Sequence, residues 1–212
     1  MACAICETRR PKRFCPGVRG DICAPCCGAE REVTVDCPLD CEFLIESRKH
    51  EKRALGESGP PPDSDIPVTE RMLREHEPLL AYLSAALLRS ALATPGAVDF
   101  DVREALEGLV RTYRTLQSGV YYESRPNNPL AGAIYAAVQE AAAQFRREEQ
   151  QHLGMTRTRD ADVLAMLVFL AYFEHDRNNG RRRGRAFLDA LRGFYADTGE
   201  SPGESGPSLV LP

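Results

Sequence analysis

A mainly α-helical chain with a small double-zinc, cysteine-rich module at its N-terminus is the fold class this sequence predicts, and three observations predict it. All eight cysteines of the 212 residues stand within the first 41 positions. The remainder has no cysteine, is rich in Ala and Leu, and repeats apolar residues every three or four positions. Between the two parts, Gly56-Glu-Ser-Gly-Pro-Pro-Pro-Asp-Ser-Asp breaks regular structure, its three consecutive prolines making a stiff spacer. The expected organisation is a cysteine-rich module over residues 1–54, a Pro/Gly linker over 55–67, a roughly five-helix bundle over 68–196, and a disordered tail over 197–212.

The module is too short and too polar to hold itself together by apolar burial, so it needs a covalent or metal staple. Disulfides require an oxidising compartment. The start, Met1-Ala-Cys-Ala-Ile-Cys, carries no basic segment followed by an apolar run, so no signal peptide is expected. The longest apolar run, residues 161–173, is interrupted by Asp162 and is too short to span a bilayer. These points favour a cytoplasmic protein with reduced thiols and bound zinc. With a net charge of −4 the whole chain is no polycation, and any nucleic-acid role must come from a local patch.

Two sulfurs two or three residues apart on a tight turn can reach one tetrahedral ion. Cys3-x2-Cys6 and Cys23-x2-Cys26 are such pairs, with sixteen residues between them, as in a zinc ribbon. One ion is therefore assigned to Cys3, Cys6, Cys23 and either Cys26 or Cys27. Cys15, Cys37, Cys41 and the spare member of the adjacent pair remain for a second ion. Cys37-Pro-Leu-Asp-Cys41 reads as a helix start, with Asp36 as N-cap, Pro38 in the first turn and both thiols on one face. That helix is expected to continue through residues 43–54. His50 is a fallback ligand. Eight thiolates fill two tetrahedra and leave no open position of the kind a catalytic zinc keeps.

Residues 3–27, CAICETRRPKRFCPGVRGDICAPCC, resemble the HIT and MYND class of cross-brace zinc fingers. The shared points are C-x-I-C, a basic and aromatic approach to Cys15-Pro16, and Ile22 before Cys23 with Cys27 four positions on. The resemblance implies that Cys3, Cys6, Cys23 and Cys27 share one ion, and that the module serves as a docking surface. The family expects another cysteine shortly after Cys15-Pro16, where Gly17, Val18 and Arg19 stand. Cys26 is the residue to supply that ligand.

Two basic clusters stand out. Arg9, Arg10, Lys12, Arg13 and Arg19, with Phe14 among them, could hold a phosphate backbone and stack a base. Residues 1–54 as a whole are nearly neutral, and the plainer expectation is pairing with Glu7, Glu30 and Glu32. Arg177, Arg181, Arg182, Arg183 and Arg185 precede the last helix, where a cation opposes the macrodipole unless an anion is recruited.

In the helical part, Thr69 caps a first helix to about Ala93, bent at Pro78. Asp101-x-x-Glu104 suggests a capping box for a second helix, with Val102, Leu106, Leu109, Val110, Tyr113 and Leu116 inward. Asn128-Pro129 opens a third, ending at Gly154. A fourth starts near Asp160, is apolar nearly all round, and ends at Asn178-Asn179-Gly180. A fifth runs from about Arg183 to Ala196 with Phe187, Leu188, Leu191 and Phe194 facing in.

Glu149-x-x-His152 has the spacing of a di-iron half-site, but one pair on a helix dense in Glu, Gln and Arg reads as a solvated face. His175, between Glu174 and Asp176, reads as a helix end. The expected function is a non-enzymatic zinc-binding adaptor that docks a protein partner, with nucleic-acid binding through the arginine clusters as the alternative and a metal-dependent enzyme in the helical part as the third.

Overall fold

The chain is described here by a computed structural model over residues 2–50 and 63–197. Its order is β1 (Arg13–Cys15), β2 (Gly20–Ile22), α1 (Ala24–Glu30), α2 (Glu42–His50), α3 (Glu70–Glu75), α4 (Glu77–Ala93), α5 (Asp99–Gln117), α6 (Pro129–Leu153), α7 (Asp160–Arg177) and α8 (Ala186–Asp197). The fold is mainly helical, with a cysteine cluster at the N-terminus. No helix among the described residues is long and apolar enough to cross a membrane.

The helical part closes around one core. α5 packs on α6 and α7, α4 packs on α6, and Leu83, Leu87, Leu106, Leu109, Ile134, Val163 and Leu167 meet at its centre, each essentially inaccessible. Several helix ends lie where local chemistry puts them. The Thr69 hydroxyl accepts the Met72 N–H at 3.2 Å, and Asn128 Oδ1 accepts the Leu130 N–H at 3.0 Å ahead of Pro129. Gly154 closes α6 in the left-handed region at φ 72°, and Asn178 caps the end of α7.

Other boundaries differ from the sequence reading. The helix expected over 69–93 is two helices, because Pro78 lacks the N–H that would continue the ladder and His76 leaves helical geometry. Asp101 is not the N-cap of α5. The helix begins at Asp99, and the Asp101 carboxylate reaches back to the Val98 N–H at 2.8 Å. α8 begins at Ala186 rather than Arg183. Phe187, Leu188 and Leu191 are buried as expected, whereas Phe194 is 59 % exposed: the apolar stripe outruns the core at its last turn.

The module holds a two-stranded antiparallel hairpin that apolar patterning does not signal, in register Arg13↔Ile22, Phe14↔Asp21 and Cys15↔Gly20. The expected helix start at Cys37 is a turn, with the Cys41 N–H on the Pro38 carbonyl at 3.1 Å, and α2 begins only at Glu42. Residues 51–54 of that expected helix, 55–62 of the expected linker and 198–212 of the expected tail lie outside the described residues. Residues 63–67, the rest of the expected linker, lie against the bundle. Asp63 and Asp65 pair with Arg114 and Ile66 packs on the core.

Candidate metal centre

Short turns and one short helix bring the cysteines together. The Glu7 N–H bonds the Cys3 carbonyl at 2.8 Å, folding the first C-x2-C pair into a knuckle. The hairpin carries the chain back so that Cys23, at the end of β2, meets that knuckle. Its N–H donates to Cys3 Sγ at 3.2 Å, and its sulfur lies 4.0 Å from Cys6 Sγ. α1 starts immediately after Cys23, with Pro25 in its first turn. On an α-helix, neighbours are rotated by about 100°. Cys26 and Cys27 therefore point to different sides.

The sulfurs of Cys3, Cys6, Cys23 and Cys26 all lie within 4.8 Å of one another, and three of the four residues are buried. A tetrahedron of thiolates with metal–sulfur bonds of about 2.3 Å has edges of about 3.8 Å, so this group needs only small side-chain adjustments to hold one ion. The spacing left Cys26 and Cys27 open, and the geometry selects Cys26. Cys27, which the resemblance to HIT and MYND fingers assigned here, lies on the other side of α1.

The electrostatics of the four thiols are those of a group short of positive charge. Cys6 is pulled below the ordinary thiol range, first by the Thr8 hydroxyl and then by the N–H groups of Arg9 and Thr8. At Cys3 burial works the other way, but the N–H groups of Cys6, Cys23 and Ile5 outweigh it and lower the thiol. Cys26 is pushed up, first by its hydrogen bond with Cys23 and then by burial. Sharing protons among crowded sulfurs in this way is what a bound cation would relieve. Arg9 is drawn into the same field: its guanidinium is held above the ordinary value by a hydrogen bond to Cys23 and by negative charge on Cys23 and Cys6.

Cys15, Cys27, Cys37 and Cys41 line one small cavity of about 20 Å³ at the base of the module, closed over by Ile22, Leu44 and Phe43. Arg31 Nη2 lies 3.7 Å from Cys27 Sγ. Gly17 is needed for this closure. A Cβ there would stand 2.5 Å from the Asp36 carbonyl and 2.7 Å from Val35 Cγ1, so the hairpin turn could not approach the segment that carries Cys37. His50, the fallback ligand, is exposed and bonded to Glu46 at 3.1 Å.

The two arginine clusters are used differently. Of the first, Arg13 stacks on Phe43, with its guanidinium carbon 3.9 Å from the ring centroid, while Arg10, Lys12 and Arg19 are exposed, as is Phe14 at 60 %. Glu30 and Glu32 do not serve as their partners: Glu30 accepts the Thr34 hydroxyl, and Glu32 is buried elsewhere. Of the second cluster, Arg181 donates to the Arg31 carbonyl at 3.3 Å. Arg185 pairs with Asp36 at 2.9 Å and bonds the Ala97 carbonyl. Arg182 and Arg183 are exposed, although the Arg183 N–H bonds the Glu32 carbonyl at 2.8 Å. Arg177 stacks over Phe173 and pairs with Asp176. Within this cluster the Arg185 side chain finds its anion in Asp36 of the module.

Glu32 is the centre of that contact, whereas the sequence reading sets it against the first arginine cluster. It is fully buried at φ 55°, and its carboxylate accepts from Arg48 at 2.7 Å, Asn179 at 2.9 Å and the Arg185 N–H at 3.0 Å. Arg48 also pairs with Asp189 of α8. A charged clasp thus fastens the module to the start of the last helix. Nearby, the buried Asp99 carboxylate accepts the Phe187 and Leu188 N–H groups at 2.9 and 3.2 Å, satisfying the first turn of α8 from outside the helix.

Glu149 is not on a solvated face. It is buried, and it accepts the Thr158 N–H at 3.1 Å and the Thr158 hydroxyl at 2.9 Å, which ties the loop after α6 back to the helix. His152 is exposed. His175 lies in the last turns of α7, on the wall of a cavity of about 150 Å³ shared with Arg103 and Glu174. No family of known proteins matches this chain, and neither curated proteins nor solved structures show a match to it.

Proposed function

We propose that this chain is a non-enzymatic zinc-binding adaptor whose cysteine-rich module docks another macromolecule. The observation that carries the reading is the closed set of Cys3, Cys6, Cys23 and Cys26, four sulfurs within 4.8 Å. Soft thiolate sets favour zinc over magnesium or calcium, and four of them complete a tetrahedron with no position for water or substrate. A second zinc would be held by Cys15, Cys27, Cys37 and Cys41. Their cavity of about 20 Å³ has room for about one small ion or water. Arg9 at the first set and Arg31 at the second offset the negative charge that four thiolates leave on a divalent ion.

The surface so held exposes Phe14, Val33 and Ile45, an apolar set suited to a protein partner. A second reading, nucleic-acid binding, draws on one observation: Phe14, Arg10, Lys12 and Arg19 are all exposed within one short stretch of the module. Against it stands Asp21, which opposes Phe14 across the hairpin. Elemental analysis should find about two zinc per chain, and fewer than one would remove the basis of the reading. Affinity capture from the cytoplasm, with and without nuclease, tests the adaptor role. A protein retained after nuclease treatment and lost in Phe14→Ala supports it. Capture that nuclease abolishes and that weakens steeply with salt supports the nucleic-acid reading instead.

A further inference from the structure

A groove of about 430 Å³ lies between α4, α7 and α8, within the range of small-ligand sites, about 300–1,000 Å³. Four aromatic side chains line it: Phe169 and Phe173 from α7, Phe194 and Tyr195 from α8. Their places are fixed from beneath. Phe173 meets the buried Phe187 and the exposed Phe194 edge to face, each at 5.5 Å. Opposite them, Glu77, Leu80, Ala81 and Ser84 fall on one face of α4, at three- and four-residue spacing.

The polar side chains of this lining are all acceptors. Ser84 and Tyr195 share a hydrogen bond, and both hydroxyls reach the Ala81 carbonyl, at 3.1 and 2.9 Å. Two hydroxyls have two hydrogens, and both are spent within this trio, so the pair offers only lone pairs. Glu77 is the one charged side chain among the described residues of the lining. It is exposed and makes no ion pair among the described residues. Aromatic ring faces add negative quadrupole to the same space. One of these rings already serves a cation of the chain: Arg177, outside the lining and paired with Asp176, stands 5.2 Å from the Phe173 centroid.

We propose that this groove binds a small organic cation, an ammonium group bearing apolar or aromatic substituents. The substituents lie on Leu80 and the ring walls, the positive centre lies against aromatic faces, and Glu77 supplies the balancing charge. An anion would meet a carboxylate and no side-chain donor. An uncharged ligand would gain the apolar walls and leave both Glu77 and the ring quadrupoles unused.

The test titrates the full, zinc-loaded chain with three probes of one shape, followed by ligand-observed NMR. They are meta-hydroxyphenyl trimethylammonium, its uncharged isostere meta-tert-butylphenol, and the anion meta-tert-butylbenzoate. The cation should bind with a Kd of about 1 mM or tighter. The uncharged and anionic probes should bind at least about threefold more weakly. Glu77→Gln and Phe194→Leu should each weaken the cation by about three- to tenfold with helical circular dichroism unchanged, the leucine keeping apolar bulk and removing the ring. Glu140→Gln, an exposed carboxylate of α6 outside the lining, should leave it unchanged. Either isostere binding as tightly as the cation overturns the proposal. So does a cation affinity that neither Glu77→Gln nor Phe194→Leu alters, or the lack of any saturation up to about 10 mM.

Discussion

Replacing Glu32 with alanine tests the link between the cysteine module and the bundle. The carboxylate is fully buried and receives three donors, from the Arg48 guanidinium, the Asn179 amide and the Arg185 N–H. Removing one partner of a buried ion pair costs about 3–5 kcal/mol, because the other charge is left without compensation. Arg48 retains Asp189, and its side chain is 13 % exposed, which places the expected loss at the lower end, about 3 kcal/mol. For a chain of this size that is a fall in Tm of about 6–12 °C. Glu32→Gly should cost about 1 kcal/mol less than alanine, since glycine adopts φ 55° without the strain that a Cβ brings. A double-mutant cycle with Asn179→Ala isolates a contact that crosses from the module to the segment before α8, and urea denaturation at fixed zinc concentration measures each corner. A loss below 1 kcal/mol in Glu32→Ala, or additive behaviour in the cycle, would refute the view that this carboxylate fastens the module to α8.

Three further outcomes follow from the geometry. If Cys26 and Cys27 serve different ions, Cys3→Ser/Cys26→Ser should retain about one zinc per chain by elemental analysis, whereas Cys3→Ser/Cys27→Ser should retain less than one; equal retention removes the assignment. Burial lifts the Asp99 carboxyl to about 7 against the pull of the Phe187 and Leu188 N–H groups. A raised folded-state value means that the native chain binds the proton more tightly than the unfolded one. The Asp99 contribution is thus fully present below about pH 4 and is lost as pH rises to about 7. The stability of Asp99→Asn relative to wild type should therefore improve across that window, and a pH-independent difference would contradict it. In Gly108→Ala the added Cβ would stand 2.7 Å from the Ser124 carbonyl and 3.2 Å from the Pro126 ring, so the α5 contact with the chain entering α6 must open. The expected loss in thermal denaturation is about 1–3 kcal/mol.

The helical part was largely legible in the sequence because its boundaries are set locally. Thr69, Asn128-Pro129, Gly154 and Asn178 act through hydrogen bonds and backbone preferences within a few residues of themselves. The errors fall where neighbours decide instead. Phe194 continues the α8 stripe, but the core ends one turn earlier, and no periodicity records where a core stops. Glu149 sits among charged residues on α6, and its burial comes from Thr158 in a loop that folds back over it. In the module, three-residue strands bearing Arg13 and Asp21 carry no alternating apolar signal, so the hairpin is a product of the thiols that it brings together.

The sequence by itself determined that eight thiols would gather in the first 41 residues and that Cys3, Cys6 and Cys23 would belong together, since paired cysteines on turns allow little else. Only the tertiary structure decided that Cys26 joins them and Cys27 does not, because the choice depends on the phase of α1 relative to the hairpin. It also decided where the buried Glu32 carboxylate finds its donors. Glu32 and Arg185 lie 153 residues apart in the chain, and no local pattern couples them. Their contact exists because a carboxylate buried in the fold must find donors, and the Arg48 guanidinium on α2, the Asn179 amide and the Arg185 N–H just ahead of α8 meet at that place.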